Sequence, residues 1–138
     1  MILAFSIGDT CEALGTGPFV AQAAKASLPE GVIPAVLFVI SGFIAFSTGT
    51  SWGTFAIMIP IAVPMINIIG LHPGLVIASV LGGGVFGDHC SPISDTTIIS
   101  SMASATDHID HVRTQIPYAL AAGAASLLLF LLFGFLLG

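Results

Sequence analysis

The sequence predicts an all-α integral membrane protein, and three observations carry that prediction. Hydrophobic residues make up 56% of the 138 residues, with a mean hydropathy of +1.09. Only 7% are charged, against roughly a quarter in soluble domains, which is too few to coat a water-facing surface. The apolar runs are continuous rather than alternating, the pattern of membrane helices and not of a β-barrel.

The first element covers residues 2–26 and is long enough to cross a bilayer, which takes about 20 residues. It carries an embedded polar patch of Asp9, Thr10 and Glu12. The run Gly15-Thr16-Gly17-Pro18 predicts a kink or a local unwinding. Lys25, Pro29, Glu30 and Gly31 then mark an interface turn.

Residues 32–71 form the second element, interrupted at Ser47-Thr48-Gly49-Thr50-Ser51-Trp52-Gly53-Thr54. Its arms, Val32 to Phe46 and Phe55 to Ile69, are each shorter than a full crossing. Two tilted spans or a re-entrant hairpin fit. Short arms around a polar tip favour the hairpin.

The third element, residues 73–105, exceeds one straight span. The block from Gly87 to Thr97 divides it into half-helices, Pro73 to Phe86 and Ile93 to Ala105, with Pro92 unable to donate a backbone hydrogen bond. Thr106 to Thr114 is the most polar stretch and reads as an extramembrane loop. Residues 115–137 read as an uninterrupted, lipid-facing span. The expectation is a single transmembrane domain over residues 1–138, with three spanning segments, one broken at mid-membrane, plus the hairpin. The chain begins inside an apolar segment with no basic leader region, so a missing N-terminal part is expected.

Charge narrows the function. The net charge is −5, and Lys25 and Arg113 are the only strong bases, which excludes a nucleic-acid partner. Cys11 and Cys90 lack CxxC spacing and read as free thiols packed as small hydrophobes. Two of the seven carboxylates, Asp88 and Asp95, fall inside the apolar third element. An ionisable group at membrane depth costs about 3 kcal/mol on insertion scales, and it is tolerated where it faces a cavity, a partner or an ion.

The break is therefore the expected seat of function. An unwound helix offers backbone carbonyls and half-helix ends, and with Asp carboxylates and Ser or Thr hydroxyls these are hard oxygen ligands. Asp88 is the leading ion-binding candidate. Asp95 fits either an ion ligand or a helix N-cap. His89 fits a proton relay or a hydrogen bond to Asp88. Ser91, Ser94, Thr96 and Thr97 fit ion ligation or satisfaction of unwound backbone. At the hairpin tip, Thr48, Thr50 and Ser51 fit a site component or close helix packing, and Trp52 a cavity wall or an interfacial anchor. Asp9 and Glu12 share a helix face, and either role fits them. Asp107, His108, Asp110 and His111 suit a polar capping loop better than a divalent-metal site, and their imidazoles suit pH sensing. No resident metal or cofactor is expected. Nor is an enzyme: Val85-Phe86-Gly87 before Asp88 lacks the first glycine of the GxGD motif of intramembrane aspartyl proteases, and HExxH and GxSxG are missing.

The blocks GGGVFGDHCSPISDTTIISSMAS and DHIDHVRTQIPYAL, preceded by FSTGTSWGTFAIMIPIAVP, closely resemble the C-terminal region of NhaC-type Na+/H+ antiporters. The resemblance covers essentially the whole chain. It implies one of two inverted repeats of an ion transporter, in which a re-entrant hairpin and a broken helix bring Ser/Thr-rich tips together at mid-membrane. It implies electrochemical exchange of Na+ against H+ in a bacterial cell membrane, with the bilayer and the other repeat, or a partner chain, as partners. Carried over by position, Asp88, Ser91, Ser94, Asp95 and Thr96 become ion-site candidates, with Thr48, Thr50 and Ser51 from the hairpin. Na+ and H+ would bind in turn at Asp88, with Asp95 the second candidate. Some family members exchange organic acids such as malate and lactate. Because members are much longer, a non-transporting fragment or a split-transporter subunit is a further reading.

Overall fold

Proline and glycine set the boundaries of the helices. The computed structural model describes residues 2–137, as seven α-helices and one short 3-10 turn. No strand occurs among the described residues. In chain order the helices are α1 (Ile2–Ala13), α2 (Thr16–Ser27), α3 (Ile33–Thr48), α4 (Ser51–Ile69), α5 (Pro73–Cys90), α6 (Asp95–Ala103) and α7 (His108–Leu137), with the 3-10 turn Glu30–Val32 leading into α3.

The first element breaks where the Gly-Thr-Gly-Pro run predicts. Gly15 adopts φ 67°, ψ 28°, a left-handed conformation, between α1 and α2. Both helices then follow α4 in the same direction. Gly8 lies against the Ala56 carbonyl, Gly17 against the Pro60 carbonyl and the Pro64 ring, and Lys25 Nζ donates to the Ile68 carbonyl at 3.1 Å. The register has a cause. Pro60 and Pro64 have no N–H, so the carbonyls four residues earlier, on Ala56 and Pro60, lose their helical partners. A glycine Cα can approach those freed oxygens where a larger side chain would not fit.

The second element is an antiparallel helical pair. Gly49 closes α3 at φ 68°, ψ 24°, with its N–H on the Ala45 carbonyl. The arms are longer than the sequence suggests. Glu30–Thr48 and α4 each have 19 residues, and by length and composition both suffice to cross a membrane, as does α7. The polar run from Ser51 to Thr54 is the first turn of α4 and not part of an unwound tip. The reason is local. Thr54 Oγ1 donates to the Thr50 carbonyl (3.0 Å), so the hydroxyl is satisfied within its own helix. Arm length therefore does not separate a re-entrant hairpin from two full crossings; what the structure has is two antiparallel helices joined at Gly49 and Thr50.

Helices α3 and α5 run parallel in the closest packing of the molecule. Gly83 meets the Phe38 carbonyl, and Gly87 meets the backbone of Gly42. This small-xxx-small pattern lets helix backbones touch. α7 runs antiparallel to both, with Gly123 on the Phe86 ring and Gly134 on the Gly31 backbone. Phe38 stacks on Phe86 at 5.4 Å and tilts against Phe130 at 5.3 Å.

The buried interior is divided by chemistry. The apolar core, including Ile33, Leu37, Met58, Met65, Ile69, Val76 and Val80, lies toward the end of the hairpin where α3 begins and α4 finishes. Buried polar side chains gather toward the other end, where Asp88, Ser91 and Ser94 meet the tip. The remaining surface is largely apolar; Leu128, Phe135 and Leu136 on α7 are strongly exposed. A surface of this kind is matched to lipid or to further protein rather than to water.

The third element breaks, but over a shorter stretch than the sequence suggests. α5 continues to Cys90, and only Ser91 to Ser94 lie between it and α6. Ser91 has φ −80°, ψ 126°, the extended conformation that a following proline imposes. Asp88 therefore sits on the last turn of α5 rather than in unwound chain. Thr106–Thr114 is also not simply a loop. α7 starts at His108 and runs 30 residues through Pro117. Asp107 makes that start possible, its Oδ1 accepting from the N–H groups of Ile109 (2.9 Å) and Asp110 (3.3 Å).

Candidate functional site

Two sequence features bring the hairpin tip and the helix break together. Gly49 has no side chain, so its backbone sits against the Ile93 carbonyl, where a Cβ would come within 2.7 Å. The bend at Ser91-Pro92 turns the chain back across the tip. Ser91 Oγ donates to the Phe46 carbonyl (2.8 Å), and the Asp95 N–H reaches the Gly49 carbonyl at 3.4 Å. The end of α3 is thus tied to both sides of the break.

Asp88 lies at the centre of this junction and is only 2% exposed. Ser94 Oγ donates to its Oδ1 at 2.8 Å, and Thr96 Oγ1 donates to its Oδ2 at 2.7 Å. The two hydroxyls also touch each other at 2.8 Å. A carboxylate on the last turn of α5 is so held by two hydroxyls from the start of α6, where the helix dipole favours negative charge. Ser94 is the N-cap of α6 and accepts from the Thr97 N–H at 3.4 Å.

The other candidates divide clearly. Asp95 is not the N-cap. It is the first residue of α6, exposed, with Oδ1 accepting from the Thr96 N–H at 2.8 Å. Thr96 is exposed beside it, so the cluster has one open side. His89 does not join Asp88. Its Nδ1 pairs with the Val85 carbonyl at 2.9 Å, and Gln115 Nε2 donates to the His89 carbonyl. His89 thereby belongs to the contact between α5 and α7. Thr48 Oγ1 is committed to the Ile44 carbonyl (2.9 Å). The Thr50 and Ser51 hydroxyls, both half-buried, have no hydrogen-bond partner among the described residues, and they are the tip groups left available. Thr97 Oγ1, Ser41 Oγ and His111 Nε2 are buried without a partner among the described residues.

Asp9 and Glu12 stand apart. Both are exposed on α1 and line grooves against α4, Asp9 together with Trp52. The Asp107–His111 group also separates. Asp107 caps α7, while His108 Nε2 meets the Pro92 carbonyl at 2.7 Å and its Nδ1 meets Ser101 Oγ at 3.1 Å. His108 therefore fastens the break to the start of α7. No group of three or more metal-ligating side chains occurs among the described residues.

Ser41 and the Gly83–Gly87 pair were not singled out by motif or charge. Their signal was available as the small-residue spacing Gly83-x-x-x-Gly87, read against Gly42.

This arrangement can hold a small cation or a proton. One carboxylate and two hydroxyls are hard oxygen donors in direct mutual contact, with further backbone carbonyls a few residues away. The family model described as the Na+/H+ antiporter family matches residues 1–135. An uncharacterised protein of Haemophilus influenzae is 41% identical over 138 residues, covering 98% of this chain and 26% of that protein. The malate-2H(+)/Na(+)-lactate antiporter of Bacillus subtilis is 35% identical, covering 72% of this chain and 21% of that protein. The Na(+)/H(+) antiporter NhaC of Alkalihalophilus pseudofirmus is 30% identical, again covering 72% and 21%. The chain thus spans between about a fifth and a quarter of the length of these relatives. No solved structure matches it. With apolar helices throughout and a family match over nearly its whole length, the chain belongs to the Na+/H+ antiporter family.

Proposed function

We propose that this chain supplies one half of the ion-exchange site of a Na+/H+ antiporter in a bacterial cell membrane, with Asp88 as the group that carries the cargo. The reading rests on a count of protons. Asp88, Ser94 and Thr96 make three oxygen–oxygen contacts of 2.7 to 2.8 Å. Two hydroxyls supply two protons. With Asp88 ionised, one contact has no proton in it. A proton on the carboxyl closes the ring, and hydrogen bonds in a closed ring strengthen one another. A cation drawn by the carboxylate would take the same oxygens and displace that proton. One position then holds either H+ or Na+, as exchange requires.

In this reading α3 and α4 form a re-entrant hairpin, and α5 and α6 form the broken helix facing its tip. Ser94 and Thr96 are ligands, and Ser91 holds the break in place. Thr50 and Ser51 lie at the tip as reserve oxygens. Asp95, exposed on the open side, takes part when the second repeat covers it. That repeat comes from the rest of the polypeptide or from a partner chain.

The test is Na+-dependent proton movement in everted membrane vesicles from cells expressing the chain in its native genetic context. The wild type should collapse a preformed pH gradient on addition of Na+. Asp88→Asn should abolish the response, and Asp95→Asn should weaken it. Full exchange by Asp88→Asn would remove Asp88 from the mechanism. Likeness to a relative named for malate and lactate supports a second reading, coupled exchange of organic acids. A response to malate or lactate together with Na+, and none to Na+ alone, would select it. A wild type silent to every solute would point to a fragment that does not transport.

A further inference from the structure

Two of the five carboxylates outside the ion site, Asp9 and Glu12, lie together on α1. Gly8 of α1 lies level with Ala56 and Gly17 of α2 level with Pro60 and Pro64, so the intervening Asp9 and Glu12 fall along the middle of α4. That helix is long and apolar enough to cross a membrane. Asp9 borders a groove of about 460 Å³ with Phe5, Trp52, Phe55 and Leu81, and Glu12 borders one of about 320 Å³ with Val63 and Pro64. Ile59 and Pro60 line both, so the grooves are continuous along α4.

Neither carboxylate has a hydrogen-bond partner among the described residues, and both are exposed. Facing lipid at that depth, each would cost about 3 kcal/mol on insertion scales. The opposite side of the bundle has no such problem: the exposed positions of α7 from Leu128 to Leu137 are Leu and Phe. The molecule therefore has one side suited to lipid and one that is not.

We propose that the groove between α1 and α4 is the face on which a further membrane helix of the transporter packs, and that this helix presents hydrogen-bond donors or a basic side chain to Asp9 and Glu12. Two facts beyond the exposure support this occupant. The relatives have about three quarters of their length outside the matched segment, ample to supply it. The chain has seven acidic residues and two basic ones, and Lys25 is engaged on the Ile68 carbonyl. Neither Lys25 nor Arg113 pairs with Asp9 or Glu12 among the described residues, so a compensating group is supplied by the further helix.

The proposal does not depend on which ion is exchanged, and its test does not read transport. Ala13 follows Asp9 by one helical turn and is exposed. Ala13→Cys and, as the lipid-facing control, Leu128→Cys are each made in a background where Cys11 and Cys90 are serine. Membranes expressing the chain in its native genetic context are treated with a lipid-soluble or a sulfonated, water-soluble maleimide. Ala13→Cys should react at least about tenfold more slowly than Leu128→Cys with the lipid-soluble reagent, and hardly at all with the other. In the 138-residue chain purified alone into detergent, the difference should vanish. Equal rates with the lipid-soluble reagent in the native membrane would show a lipid-facing surface and overturn the proposal. Rapid reaction with the sulfonated reagent would show a water-filled path and overturn it equally. Should replacing both native cysteines perturb folding, Ala13→Cys and Leu128→Cys are compared with Cys11 and Cys90 left in place, and the labelled peptides are resolved by mass spectrometry.

Discussion

Three neighbouring glycines make a sharp test of the packing that positions Asp88. Gly82, Gly83 and Gly87 all lie inside α5, so replacing any of them by alanine gains about 1 kcal/mol of helix propensity. Their surroundings differ. A Cβ at Gly82 would meet the Phe130 ring at 3.6 Å, an ordinary contact. At Gly83 it would come 2.9 Å from the Phe38 carbonyl carbon and from Ser41 Cβ, and at Gly87 it would come 2.7 Å from the Gly42 carbonyl carbon. Carbon atoms rest at about 3.5 to 4.0 Å, so α3 and α5 must part by roughly 1 Å. Overpacking of that kind costs about 1 to 3 kcal/mol. Relative to Gly82→Ala, the Gly83→Ala and Gly87→Ala variants should therefore be less stable by about 1 to 3 kcal/mol. Thermal unfolding of the purified chain in detergent measures this difference. The same separation pulls Ser91 Oγ away from the Phe46 carbonyl, so Gly87→Ala should also depress exchange while Gly82→Ala leaves it intact. If Gly83→Ala and Gly87→Ala melt with or above Gly82→Ala, the close contact of α3 and α5 is refuted.

Three further outcomes follow from the same contacts. Gly49→Ala places a side chain at φ 68° and within 2.7 Å of the Ile93 carbonyl. Left-handed backbone alone costs a non-glycine residue about 1 to 2 kcal/mol, so the variant should melt lower and lose exchange. Ser91→Ala removes the 2.8 Å bond to the Phe46 carbonyl, worth about 1 kcal/mol; amide hydrogen exchange around residues 91–94 should speed up. Asp107→Ala uncaps α7 and should cost about 0.5 to 2 kcal/mol in the same melt, with exchange by the surviving folded protein unchanged.

The hairpin tip and the break were legible because their residues act locally. Glycine at 49 ends a helix, and proline at 92 forces Ser91 out of the helical region. The exact helix ends were not legible. Ser51 to Thr54 look like loop by composition, yet the Thr54 hydroxyl bonds back to the Thr50 carbonyl and the helix continues. Asp107 and His108 look like loop as well, until Asp107 caps the helix that follows. The Asp88 cluster was legible only as residue types. Its members lie six and eight positions apart, a spacing that no regular helix brings together, and only the bend at Ser91-Pro92 does. His89 shows the converse. It is adjacent to Asp88 in sequence but points along its own helix to the Val85 carbonyl, because neighbouring residues on a helix do not share a face.

The central claim is that one position, built around Asp88, holds either Na+ or a proton. Its most direct measurement is the number of protons released to solvent as Na+ is added to the purified transporter, read with a pH indicator dye in weakly buffered detergent solution. The account predicts saturable proton release from the wild type, lost in Asp88→Asn and retained in Asp95→Asn. Release that is undiminished in Asp88→Asn, or Na+ binding by the wild type with no proton released, would contradict it.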